Sequence, residues 1–317
     1  MSHKLDVEDG LYGIIESPNI SRIRFGEYEL NTWYGSAVYF AKDKSTLGYK
    51  YNPTGGAGGG AGRKKSDVNK DDIWLEKLFI CDSCFKYTDV KQEFDDHVQS
   101  CEYENKQLGK IMYKDEKYCI RKVRGSHHKL FTQNLCLFTK LFLDNKSVFF
   151  TVDYFEFYIV YGSQNNKPMG FFSKELLSWD KNNLACILVF PPYQRMHLGT
   201  LLISFSYELS KSQNLISGPE KPLSPFGLIG YLKYWTSILT REFVHGKLSN
   251  NETVTLDEVS KITGIRQDDV VMTLKHMKVL VMKDQIIYIK KKILEDWAKK
   301  NKVSFEPLLK KGGLLLE

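Results

Sequence analysis

The chain has no apolar stretch long enough to cross a bilayer. Its longest uninterrupted run, Leu184–Phe190, falls far short of the roughly 18 residues that a helical span needs. Residues Met1–Gly10 are polar and mixed in charge, without the apolar segment of a secretory signal. Cysteine is scarce, six in 317 residues, which excludes a disulfide scaffold. Nine prolines and no glycine period exclude a collagen-like rod. Neither charge dominates: 45 basic against 38 acidic residues leave +7, which permits contact with nucleic acid or polyphosphate without requiring it. What is there, 42% hydrophobic and 26% charged residues, is the composition of a folded soluble chain with room for one large core or a few smaller ones. The expectation is an intracellular protein in a reducing compartment.

Residues 1–50 read as short strands, with β-formers at Ile23–Phe25 and Val38–Phe40 and breaks at Gly26, Trp33–Gly35 and Asp43. Pro53–Thr54 leads into Gly55–Gly62, which holds only glycine and alanine. Having no side chains to bury and high backbone entropy, the segment 53–66 reads as a flexible insertion; no Gly-Lys-Ser/Thr follows that would make it a phosphate cradle. A helix is expected near Gln133–Leu143, one bent strand or a pair over Val148–Tyr161, and an apolar strand at Leu184–Phe190 fenced by Pro191–Pro192. Leu198, Leu201, Leu202, Phe205 and Leu209 recur at helical spacing, and a second helix is expected over Phe226–Thr240. Thr255 with Glu258 forms a capping box, Thr263–Gly264 a turn and Val270–Met277 the next helix, so the carboxy-terminal part reads helix, turn, helix, strand. The lysine-rich stretch Lys290–Lys311 reads as a solvated helix face and tail.

The strongest isolated motif is Cys81, Cys84, His97 and Cys101. Two cysteines three apart suit a knuckle gripping one side of an ion, and a His and a Cys four apart on one helix face close a tetrahedron. Thiolate and imidazole donors point to zinc, and four protein ligands make the site closed and structural. Phe79, Phe85, Tyr87 and Phe94 supply its small core. The finger carries many acids (Asp82, Asp89, Glu93, Asp95, Asp96, Glu102, Glu104), which speaks against its reading DNA. Further on, an apolar strand leads into Pro191–Thr200 and then a helix, whose opening N–H groups and dipole make an anion site; Arg195 can add a fork to a phosphate.

Leu184–Leu188, Tyr193–Arg195 and Phe205–Lys211 resemble the acetyl-CoA-binding core of the MYST family of histone acetyltransferases. Ser217–Ser224, Gln133–Leu137, Leu141–Lys146, Gly170–Glu175 and Trp33–Tyr34 resemble further motifs of that family, in order, and the cysteine–histidine motif falls where the family carries its C2HC finger. The resemblance covers roughly residues 11–290. Finer runs, among them Tyr154–Tyr161 and Ser224–Trp235, are most similar to a member that serves chromatin silencing. One departure stands out: where the family has Q/R-x-x-G-x-G/A, this chain has Gln194–Gly199 with His197 in the place of a glycine. Glycine there lets the backbone approach a diphosphate; an imidazole has to point away or the loop has to shift.

The resemblance implies a mixed α+β fold with a central acetyl-CoA-binding core. It implies an N-terminal segment (1–124) holding the finger (79–103) and the insertion (53–66), a catalytic core (125–235), and a helix-turn-helix-like segment (236–317). It implies Glu220 as general base, with Pro219, Pro222 and Leu223 expected to desolvate its carboxylate, and Cys186 as the second active-site residue, lining the site or passing on the acetyl group. The cofactor falls to Ile187, Val189, Gln194, Arg195, Met196, His197, Leu198, Gly199, Thr200 and Ser224, and self-acetylation to Lys146. The substrate implied is the histone H4 tail at lysine 16, in chromatin silencing and boundary regulation, in the nucleus, beside two non-catalytic subunits and chromatin but no membrane, with acetyl-CoA and structural zinc as cofactors. The helix-turn-helix is expected to wall the substrate groove rather than read DNA. The competing reading is a zinc-finger and helix-turn-helix protein that binds chromatin or DNA with weak or no acetyltransferase activity.

Overall fold

The computed structural model describes residues 14–15, 17–41, 46–50, 73–144, 150–164, 166–284 and 286–316. Their contacts divide them into two compact units: one holds those within 1–109, 123–155 and 164–168, the other those within 110–122, 156–163 and 169–317. The glycine-rich insertion 53–66 lies outside the described residues.

In the first unit, β1 (Ile14–Ile15) pairs antiparallel with β4 (Gly35–Ser36). β2 (Ile20–Phe25) buries Ile20, Ile23 and Phe25 completely, with Ile23 and Phe25 on one face by alternation. It pairs antiparallel with β3 (Tyr28–Asn31) and parallel with β5 (Leu75–Ile80), which takes β6 (Tyr87–Thr88) on its far side. The helix α1 (Lys91–Ser100) follows β6, and α2 (Lys129–Lys140) lays Phe138 on Phe25, ring centroids 4.7 Å apart. That helix starts earlier than the apolar pattern predicts, because Thr132 bonds back to the His128 carbonyl through both N–H and Oγ1. Val38–Phe40 is not a strand: Ala37–Tyr39 is a 3-10 turn that swings Tyr39 edge-on against Tyr87 at 4.9 Å, so aromatic packing overrides β-propensity.

The second unit is built on a five-stranded sheet. From edge to edge it runs β12 (Cys186–Val189), β10 (Pro168–Glu175), β9 (Phe155–Gly162), β8 (Tyr118–Arg124) and β7 (Lys110–Lys114). Tyr158 and Phe172 stack at 4.7 Å, and Phe205 of α3 (Leu198–Ser212) covers Tyr158. The apolar run expected as one strand is two. β11 (Asn182–Leu184) pairs parallel with β13 (Gly218–Pro219), whereas β12 pairs antiparallel with β10. The chain changes partners at Ala185 because two carbonyl–amide bonds pull it apart: Ala185 N–H goes to Ser173 O (2.8 Å), and Leu184 O takes Glu220 N–H (2.9 Å).

Beyond β13 come α4 (Pro225–Val244), α5 (Leu256–Thr263) and α6 (Gln267–Met277). Both halves of the capping box at Thr255 and Glu258 are present, and Gly264 ends α5 at φ +77°. β14 (Leu280–Lys283) and β15 (Ile286–Ile289) form a hairpin before α7 (Lys291–Lys300). The stretch expected to be a solvated helix face and tail is largely exposed, and a few apolar residues anchor it. Leu294, Ala298 and Leu309 are buried, Lys310 N–H reaches Tyr113 Oη at 3.2 Å, and Leu314 bridges to the Tyr113 backbone. Two apolar positions four apart suffice to turn a charged helix inward. No described helix is long and apolar enough to cross a membrane.

Candidate active site and metal centre

The knuckle between β5 and β6 supplies Cys81 and Cys84, and α1 supplies His97 in its last turn. Cys101 sits one residue past the end of α1 in an extended conformation, not on the helix face as expected; leaving the helix turns its thiol back toward the knuckle. The four donor atoms lie within 4.8 Å of one another. Cys81 Sγ and Cys101 Sγ are 3.8 Å apart, the edge that about 2.3 Å zinc–sulfur bonds give a tetrahedron, and Cys84 Sγ is 3.2 Å from His97 Nε2. Hydrogen bonding with Cys84 pulls the Cys81 thiol down to about 5. The same bond pushes Cys84 up, and burial pushes Cys101 up. Three thiols this close share one negative charge unless a cation joins them, so the donor set fits a metal ion.

Phe79 and Phe94 (5.6 Å) and the buried Phe85 form the core beneath the knuckle. Lys167 was not legible in the sequence as part of this site. Its Nζ donates to Asp82 Oδ1 (2.9 Å), Ser83 Oγ (3.0 Å) and both carboxylate oxygens of Glu104 (2.8 and 2.7 Å), clamping the two residues between the knuckle cysteines. The residue expected to acetylate itself, Lys146, lies outside the described residues.

In the second unit, the split at Ala185 places Cys186 and Glu220 on neighbouring backbones. Cys186 opens β12 opposite Ser173, half-buried, and Glu220 follows β13 with its N–H on Leu184 O. Glu220 is exposed, so the desolvation expected from Pro219, Pro222 and Leu223 is not built into the chain itself. Ile187 and Val189 lie opposite Phe172 and Gly170 on the sheet edge. Ser224 caps α4, its Oγ accepting from Gly227 N–H at 3.1 Å.

The loop from β12 to α3 carries the remaining expected cofactor residues. Gln194, Arg195, Met196 and His197 are exposed, Gly199 and Thr200 half-buried, and Leu198 buried, so Leu198 has only its backbone to offer. Among the described residues no side chain caps α3, which leaves its first N–H groups for an outside acceptor. Among the described residues, a methyl group added at Gly199 would meet only Val189 Cγ2, at 3.8 Å, and this open space beside the backbone fits a ligand that needs close approach. His197 takes the left-handed conformation (φ +62°) that favours glycine, as does Arg195 (φ +65°). The imidazole turns toward α4, with Nδ1 3.0 Å from Lys233 Nζ.

The helix-turn-helix carries two residues that local pattern did not reveal as part of this site. Arg266 donates from Nη1 to Pro219 O (3.3 Å) and from Nη2 to Asp180 O (2.6 Å) and Asn182 Oδ1 (2.8 Å). Asp269, fully buried, pairs with Lys221 at 2.7 Å. Their partners lie 47 or more residues away for each Arg266 bond, beyond the reach of any window of local sequence.

A family profile described as the MOZ/SAS family matches residues 106–311. Histone acetyltransferase SAS2 of Saccharomyces cerevisiae is 52% identical over 290 residues, covering 91% of this chain and 82% of its own length. Histone acetyltransferase MOF of Drosophila melanogaster is 34% identical over 263 residues, 82% of this chain and 28% of the fly protein. Histone acetyltransferase KAT6A of Homo sapiens is 32% identical over 294 residues, 91% of this chain and 13% of the human protein.

Proposed function

This chain belongs to the MOZ/SAS family and is a histone acetyltransferase; we propose that its acceptor is lysine 16 of histone H4. By the same reading it acts in silencing and boundary regulation on chromatin in the nucleus, beside two non-catalytic subunits. The three segments 1–124, 125–235 and 236–317 are its working parts. The reading is carried by one observation: the split of the apolar run at Ala185 brings the Glu220 backbone onto Leu184 O, two residues before Cys186, at the edge where β12 runs into the uncapped α3.

Acetyl-CoA, when bound, supplies the acetyl group as an activated thioester. The main-chain groups of Gln194, Arg195, Met196, His197, Leu198, Gly199 and Thr200 hold its diphosphate, because peptide N–H groups at a helix start favour negative charge. Ile187 and Val189 would offer edge backbone to its chain, and Ser224 would help hold its thiol end. Glu220 accepts the proton that the lysine ammonium must lose before its nitrogen can attack. Cys186 lines the site; the deprotonated lysine nitrogen would attack the thioester carbonyl carbon directly, forming the amide as the carbon–sulfur bond breaks and coenzyme A leaves as its thiol. Cys81, Cys84, His97 and Cys101 hold zinc, which crosslinks the finger and takes no part in the chemistry.

Direct DNA reading by the helix-turn-helix is not proposed, since Arg266 at the head of its second helix is engaged within the protein and Asp268 stands in that helix's first turn. The test is acetyl transfer by the purified chain, alone and with its two partner subunits, to an H4 tail peptide and to one with lysine 16 replaced by arginine. The reading expects transfer to the first and its loss with the second; equal modification of both overturns the assignment of the acceptor.

A further inference from the structure

The residues flanking Glu220 are tied to α6 on both sides. Upstream, Pro219 O accepts from Arg266, whose second nitrogen also fastens Asp180 O and Asn182 Oδ1 on the neighbouring strand segment. Downstream, Lys221 Nζ lies 2.7 Å from Asp269 Oδ1, close enough for an ion pair though without the alignment of a hydrogen bond. From the strand side, Leu184 O holds Glu220 N–H at 2.9 Å. A short irregular segment is thus fixed at three successive residues.

The anchoring is built into the packing. The Asp269 side chain is wholly buried whereas that of Lys221 is 47% exposed, so the lysine reaches inward to a carboxylate that cannot move out to meet it. Asp269 lies in the first turn of α6, where the helix dipole favours a negative charge. Its charge is felt by Tyr207 and Tyr231, whose hydroxyls burial has already pushed up. A methyl group at Gly218 would sit 2.8 Å from Asp269 Oδ2 and 3.2 Å from Arg266 Cδ; only glycine lets the strand pass this close to α6.

We propose that Arg266 and Asp269 are positioning residues for acetyl transfer: they hold the Glu220 peptide in place, and Asp269 keeps the Lys221 ammonium away from the Glu220 carboxylate. Lys221 adjoins Glu220 in sequence. Released from Asp269, its charge would be free to pair with that carboxylate and weaken it as a base. The helix-turn-helix thereby serves the chemistry through the backbone that carries Glu220. This inference rests on the reading of Glu220 as the base.

The test compares wild type, Asp269→Asn, Lys221→Met and the double variant of the full chain by steady-state acetylation of the H4 tail peptide, with thermal melting of each. Each single variant is expected to lose kcat by about tenfold or more, as misplacement does, with the KM for acetyl-CoA within about twofold of wild type. The double variant is expected to be no worse than the poorer single one, because the two residues act as one unit. Should Asp269→Asn not fold, Lys221→Met, which changes a half-exposed residue, and Arg266→Lys carry the test by the same split. An active wild type with unchanged kcat in the singles, with additive losses, or with kcat and KM shifting together overturns the proposal alone. A wild type that transfers no acetyl group overturns the Glu220 reading and this inference with it.

Discussion

Nδ1 of His197 lies within hydrogen-bonding distance of Nζ of Lys233, at 3.0 Å, a contact that orients the imidazole toward α4. The backbone beneath it is left-handed, at φ +62°, a conformation that costs a non-glycine residue about 1 kcal/mol. His197→Gly removes both the strain and the imidazole that turns from the loop toward α4. The expected result is a KM for acetyl-CoA lower by about fivefold with kcat within about twofold of wild type. A KM that rises instead would mean that the His197–Lys233 pair holds the cofactor.

Glu220 and Cys186 separate two routes. If the lysine nitrogen attacks the thioester directly, Cys186→Ala keeps kcat within about tenfold of wild type, whereas Glu220→Gln, which cannot take the proton, loses about a hundredfold to ten-thousandfold. Rates in the opposite order would make Cys186 the acetyl carrier.

The finger is expected to bind one zinc ion per chain. Removing it with a strong chelator should lower the melting temperature by about 10 °C or more, since closing four ligands supplies folding free energy of several kcal/mol, and one equivalent of zinc should restore it. Cobalt substituted for zinc should give the absorption of a tetrahedral thiolate site. Cys84→Ser should lose both the absorption and the recovery.

The clamp on the knuckle has a definite pH window. Hydrogen bonds from Lys167 and Ser83 hold the Glu104 carboxyl below its ordinary value of 4.5. Burial pulls Lys167 down, but its bonds to Glu104 and Asp82 outweigh that and hold it above its ordinary 10.5. The carboxylate therefore adds stability above pH 4.5 and loses it as acid titrates the folded form; the ammonium adds stability below pH 10.5 and loses it as base does. Lys167→Met should lower stability by about 1 kcal/mol, the partial exposure of the pair limiting the effect. The difference from wild type, followed by denaturant melts, should be level between those limits and shrink outside them.

Much of this molecule is legible in its sequence where signals are local. The spacing of Cys81, Cys84, His97 and Cys101 places the metal cluster, the start of α3 at Leu198 follows from helical periodicity, and the Thr255–Glu258 box marks the start of α5. What escapes is decided by distant partners. Nothing in Leu184–Phe190 itself tells that the backbone divides at Ala185, because the division depends on Ser173 and Glu220 competing for it. Val38–Phe40 looks like a strand until Tyr39 finds Tyr87, and Lys167 looks like a loop lysine until the fold sets it between Asp82 and Glu104. Arg266 gives no local sign of its role, because its fork rests on Pro219 and Asp180, 47 and 86 residues away.

The central claim is that the diphosphate of acetyl-CoA rests on main-chain amides of the Gln194–Thr200 loop, with its acetyl end beside Glu220. A crystal structure of the chain with acetyl-CoA tests it most directly. The account expects diphosphate oxygens within hydrogen-bonding distance of those amides and the thioester carbonyl next to the Glu220 carboxylate. A cofactor bound elsewhere, or a loop closed over by the His197 imidazole with no cofactor on it, would contradict the account.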